Sequence, residues 1–80
     1  MSTSEARRLQ PVATSVSFTD HDIVVALADG RVVSAPLEWF PRLLQASAEA
    51  RSNWRLIGGG IGVHWEDLDE DISIEGLLAA

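Results

Sequence analysis

The chain has 80 residues, 46% of them hydrophobic, a formal net charge of -6, three tryptophans and no cysteine. That length fits one small domain, and the apolar share excludes wholesale disorder while favouring extra burial against a partner. The missing cysteine excludes disulfides, thiolate metal sites and a cysteine nucleophile, and six scattered arginines against twelve carboxylates exclude a basic stripe for a phosphate backbone.

Residues 1–11 are polar and aperiodic and read as a loose tail; residues 12–80 read as the domain. Arg7 and Arg8 precede no long apolar stretch, and no run approaches the roughly eighteen residues of a membrane span. Without cysteine or an export signal, the expected compartment is the cytoplasm.

Val16-Ser17-Phe18-Thr19 alternates apolar and polar residues, as a half-buried strand does. Asp20-His21-Asp22 reads as a turn held by aspartate side chains. A second strand runs from Ile23 to Ala28. Asp29-Gly30 then predicts a two-residue type I′ hairpin pairing Leu27 with Val32 and Val25 with Ser34. One face would carry Ile23, Val25, Leu27 and Val32, the other Val24, Ala26, Val33 and Ala35. Both are apolar, so the sheet is expected to be covered on both sides or to meet a partner.

Pro36 ends the third strand. The stretch LEWFPRLLQASAEARSNW predicts the main helix, with Pro41 at its first position and Phe40, Leu43, Leu44 and Ser47 toward the core. Trp54–Ile57 and Ile61–Trp65 read as strands around a glycine triple that makes a tight turn or bulge. Ile74, Leu77 and Leu78 predict a short last helix capped by Asp71 or Ser73. The order β-β-β-α-β-β-α describes an α+β fold, a small, mostly antiparallel sheet on one main helix and a short C-terminal helix.

Chemistry concentrates in GVHWEDLDEDIS, residues 62–73, where His64 stands near five carboxylates. Asp67, Asp69 and Asp71 match positions 1, 3 and 5 of a calcium loop, but Ile72 and Leu78 occupy the positions that need glycine and glutamate. The segment reads instead as strand end, acidic turn and helix cap, with carboxylates near the positive end of the helix dipole. If Val63 and Trp65 face inward, His64 faces outward. The glycine run lacks the lysine and hydroxyl residue of a phosphate loop, and no serine lies in a nucleophile elbow.

A metal-dependent hydrolase built on His64 with Asp67 or Asp69 is the weakest reading, because so short a chain leaves little room for a cleft. No catalytic residue, metal or cofactor is expected. A small-ligand pocket bounded by Trp39, Trp54, His64 and Trp65 is an alternative. The candidate interaction face is His64, Glu66, Asp67, Asp69 and Glu70, with Arg42 and Arg51 pairing with acids of the 66–71 segment, either within the chain or across a dimer.

Asp29-Gly30-Arg31, the run from Pro36 to Leu43 (PLEWFPRL), Arg51 with Trp54, Gly62-Val63-His64-Trp65, Leu68 to Ser73 and Leu77-Leu78 together resemble a widespread small bacterial family, domain of unknown function twenty-four forty-two. The resemblance covers about residues 16–79. Glu66 follows the His-Trp pair where the family usually has proline, and Ile61 stands where glutamate is common. The second departure removes a polar group from the glycine loop.

The resemblance implies an α+β fold without established catalytic residues. Some relatives carry a helix-turn-helix domain behind this one; others are encoded beside a second small protein in a toxin-antitoxin-like pair. For a chain of this length it implies a stand-alone, non-enzymatic protein-interaction or regulatory module, the antitoxin-like member of such a pair. The expected partner is the neighbouring gene product or a second copy, with no direct nucleic-acid or membrane partner.

Overall fold

Alternation builds the first sheet. In β2 (Asp22–Leu27) Ile23, Val25 and Leu27 are buried while their neighbours are half-buried, and β1 (Ala13–Phe18) and β3 (Val32–Pro36) flank it in an antiparallel meander. The computed structural model describes residues 11–79, so the tail expected over residues 1–11 lies, up to residue 10, outside the described residues. The turn between β1 and β2 is organised by Thr19 rather than by the aspartates. Its Oγ1 accepts from the backbone N–H groups of His21 and Asp22 at 3.3 and 3.0 Å.

The Asp-Gly hairpin forms, but one residue out of the expected register. Val25 pairs with Val33 and Ala26 with Val32. The N–H of Leu27 donates to the carbonyl of Arg31 at 2.9 Å, and the N–H of Gly30 donates to that of Leu27 at 3.1 Å. Only Gly30 of the turn takes a positive φ, 96°. This is a three-residue loop, a type I turn closed by a left-handed glycine. Asp29 stays out of the left-handed region, and its carboxylate accepts from the Arg31 N–H at 3.0 Å and pairs with the guanidinium at 2.7 Å. A one-residue slip exchanges faces. Val33 and Ala35 therefore turn inward and Val32 turns out, 63% exposed. The outer face carries exposed Ser15, Ser17 and Ser34 beside half-buried Val24 and Ala26, so it is not the second apolar face expected.

The expected main helix is divided. After a 3-10 turn (Leu37–Trp39) come α1 (Pro41–Leu44) and α2 (Ala48–Ser52). Ser47 makes the break: its side chain accepts from the Ala50 N–H at 3.1 Å and starts a new helix. Arg51 reaches back from α2, donating to the carbonyls of Leu43 and Leu44 at 2.8 and 3.0 Å. It thereby closes the C-terminal end of α1, where a cation is favoured. Ser47→Ala should lower folding stability by about 1 kcal/mol, the usual worth of an N-cap, read as a reduced urea midpoint at constant slope.

The second sheet is another antiparallel meander, β4 (Trp54–Ile57), β5 (Gly62–Trp65) and β6 (Glu70–Ser73), followed by α3 (Ile74–Ala79). β6 is a strand beyond the expected order, lying where the acidic segment was read as turn and cap. The chain reverses earlier, through residues 66–69, with Asp69 at φ 51°, a conformation aspartate tolerates. Ile72 can then bury opposite Val63. Ser73 caps α3 by accepting from the Gly76 N–H at 3.1 Å; Asp71 sits two residues earlier, within β6.

The glycine triple makes the loop between Ile57 and Gly62, with positive φ at Gly58, Gly59 and Gly60. The carbonyl of Gly60 accepts from the Ala13 N–H at 2.7 Å and ties the two sheets together. Between the sheets lies one core, drawing on Ile23 and Val25 from the first, Val63, Trp65 and Ile72 from the second, and Leu37, Leu43, Ile74 and Leu77 from the helices and turn. Trp65 is fully buried, packs edge-to-face on Phe18 with centroids 6.5 Å apart, and donates its indole N–H to the Arg51 carbonyl at 2.9 Å.

Candidate functional site

The period-2 alternation that buries Val63 and Trp65 turns His64 outward. Cross-strand register then lines up Arg55, His64 and Asp71 in one row over the three strands of the second sheet. His64 Nδ1 donates to Asp71 Oδ1, and His64 Nε2 lies 3.6 Å from Glu66 Oε1. The same Glu66 oxygen accepts from Arg55 at 3.3 Å. The His64 side chain is only 16% exposed, against 62% for Arg55, 74% for Glu66 and 68% for Asp71. Asp71 thus engages one ring nitrogen, while the other faces Glu66 beyond hydrogen-bond distance. Exposed pairs of this kind contribute about 0–1 kcal/mol each. Among the described residues no group of three His, Asp or Glu side chains is placed to hold a metal ion.

Of the seven residues proposed from sequence as an interaction face, the structure gathers most. His64 belongs to the row and Glu66 flanks it, Asp67 and Asp69 are exposed in the adjoining turn, and Glu70 is half-buried beside Trp65 in register. Arg42 reaches this region, but donates to the backbone carbonyl of Asp69 rather than to a carboxylate. Arg51 does not join them. It caps α1 and lies 5.5 Å from the Phe18 ring centroid, so within the chain helix capping and a cation–π contact stand in place of the expected pairing with the acids. Arg55 was missed. Its signal was the alternation of β4, which sets it outward and opposite His64 once the glycine turn is placed.

The carboxyl with a displaced titration lies at the hairpin. The backbone N–H of Arg31, and then its guanidinium, hold Asp29 below the usual aspartate range.

The tryptophans do not bound one pocket as expected. Trp65 is in the core. Half-buried Trp54 lines an open groove of about 370 Å³ with Phe18, Thr19, Ala48 and Arg51. Trp39 is 54% exposed. It lines a separate, mainly apolar groove of about 250 Å³ with Phe40, Asp71, Ile72, Gly76 and Leu77. No helix among the described residues is long and apolar enough to cross a membrane.

A crystal structure of a protein of unknown function from Rhodospirillum rubrum ATCC 11170 is similar to this chain, with a TM-score of 0.75 and 30% sequence identity over 89% of this chain and 88% of that one. No curated protein matches. The family model described as "Protein of unknown function (DUF2442)" matches residues 13–80, a span that takes in both meanders and their helices. With its hairpin glycine, its outward histidine beside a buried tryptophan and its acidic turn all inside that match, the chain belongs to the DUF2442 family.

Proposed function

We propose that this domain is a cytoplasmic, non-enzymatic protein-interaction module, the antitoxin-like member of a two-gene pair. The observation that carries the reading is the placement of Trp39, a large aromatic side chain 54% exposed beside an apolar groove. Tryptophan left in water next to a groove is the residue type most often found anchoring an interface. The ionisable residues support the reading from the other side, since His64 and its neighbouring carboxylates engage one another.

The test is co-expression with the neighbouring gene product. A stable complex is expected by size-exclusion chromatography and sedimentation. Trp39→Ala should leave the fold intact and weaken the complex by about 2 kcal/mol, roughly thirtyfold. Failure of the wild-type chain to bind that product would remove the two-gene reading.

A second reading, a small-ligand sensor, draws on the groove of about 370 Å³ beside Trp54 and Arg51. A thermal-shift screen with metabolites and metal ions separates it, because only a sensor gains stability from a small molecule.

A further inference from the structure

The apolar groove beside Trp39 runs along a sheet edge. β6 is paired with β5 on one side and closes the second sheet on the other. An edge strand presents a row of backbone N–H and C=O groups that no neighbouring strand satisfies. Asp71, Ile72 and Ser73 of β6 line the groove together with Trp39, Phe40, Gly76 and Leu77. A backbone edge and an apolar anchor therefore occupy the same cleft. A helix laid there would fill the apolar part and leave the edge unpaired. An extended segment answers both, through main-chain hydrogen bonds and one side chain on Trp39.

The charge around the cleft fixes the chemistry of that segment. Asp71 lines it with its side chain 68% exposed, and Glu38 and Glu75, also exposed, stand next in the chain to Trp39 and Gly76. Glu66, Asp67 and Asp69 crowd the turn that leads into β6. The nearest arginines are engaged, Arg42 with the Asp69 carbonyl and Arg55 with Glu66. The same charge argues against a second copy as occupant. Pairing β6 with its own twin would set the Glu70–Asp71 pairs of two chains a strand spacing apart, and like charges across strands repel.

We propose that this groove takes an extended, cationic segment of another polypeptide, which adds to β6 as a fourth strand and seats an apolar side chain against Trp39. The proposal rests on the interaction-module reading and names the partner's chemistry. Side chains of an added strand alternate between two faces. One set meets Trp39 and the other passes Asp71, so the segment that fits alternates apolar and basic residues.

The experiment titrates the nitrogen-15-labelled full chain with a short blocked peptide alternating valine and lysine. Its controls are the same peptide with glutamate for lysine and a helix-forming leucine–lysine peptide. Expected are amide shifts centred on Asp71–Ser73 and the Trp39 indole, slowed exchange along β6, and affinity about tenfold weaker in Trp39→Ala. Asp71→Asn with Glu75→Gln should weaken binding and flatten its salt dependence. Both variants alter exposed side chains, and unchanged amide dispersion shows that they fold.

Equal binding of the glutamate peptide, preference for the helical peptide, shifts away from β6, no binding at millimolar peptide, or a dimer that protects β6 would each overturn the proposal. If the neighbouring gene product binds in a Trp39-dependent way while the β6 amides stay unmoved, the interaction module stands and the edge-strand mode falls. If the valine–lysine peptide binds at β6 but the gene product does not, the groove stands and the two-gene reading falls.

Discussion

Gly60→Ala should cost about 2–4 kcal/mol of folding stability, whereas Gly59→Ala, one residue away, should cost only about 1 kcal/mol. Both glycines have positive φ, 108° and 71°. They differ in surroundings. A Cβ at Gly59 meets nothing within 4 Å, while one at Gly60 would lie 2.6 Å from the backbone oxygen of Ala13 and 3.1 Å from its nitrogen. Backbone cannot step aside as a flexible side chain can, so the loop would have to withdraw. That displaces the Ala13-to-Gly60 hydrogen bond, worth about 1 kcal/mol, on top of the dihedral strain. Urea denaturation of the two variants gives the comparison. Equal losses would mean that the close approach of loop and strand is not a constraint.

Trp65→Ala should cost about 3–5 kcal/mol, enough to leave a domain of this size largely unfolded at physiological temperature. Trp65 is wholly buried, stacks edge-on against Phe18 and satisfies the carbonyl of Arg51. Removing it opens a cavity between the two sheets and leaves a half-buried acceptor without its donor. Trp65→Phe separates the two effects. It keeps a ring for Phe18 and loses the N–H, so a smaller loss of about 1–3 kcal/mol is expected. The readout is thermal unfolding followed by far-ultraviolet circular dichroism. An Ala variant as stable as the Phe variant would contradict the packing described.

Most strands were legible because period-2 patterns are long enough to read. Ile23-Val25-Leu27 and Val63-Trp65 fix both an element and its buried face. The elements that escaped turn on one side chain each. Ser47 is apolar-compatible by spacing, and nothing local shows that its hydroxyl will cap a new helix rather than ride within an old one. Asp29-Gly30 marks a hairpin, but Arg31 decides the loop length by giving the Asp29 carboxylate two donors in its observed conformation.

β6 hid behind its own charge. Four residues with two carboxylates read as turn and cap, and only the tertiary partner Val63 makes Ile72 a core residue. The candidate face was legible as a cluster in sequence, since five of its members lie within seven residues. The capping role of Arg51 was not legible, because its partners are carbonyls at the end of a helix whose break the sequence does not announce. The groove at Trp39 was hidden for the same reason as β6, since β6 is one of its walls.

The two meanders share a property with a kinetic consequence. Every strand pairs only with its neighbour in sequence, β1-β2-β3 and then β4-β5-β6. Each sheet therefore closes through short loops, at little entropic cost, and hairpins of this kind form in microseconds. What remains is non-local, the docking of one finished sheet on the other through Trp65 and the Gly60–Ala13 tie. Low contact order of this kind belongs to fast-folding chains. The seam is then a late-forming feature whose weakening accelerates unfolding more than it slows folding. The same arrangement makes the lifetime of the folded domain, more than its rate of assembly, depend on one buried tryptophan and on the glycine carbonyl that the first strand leans on.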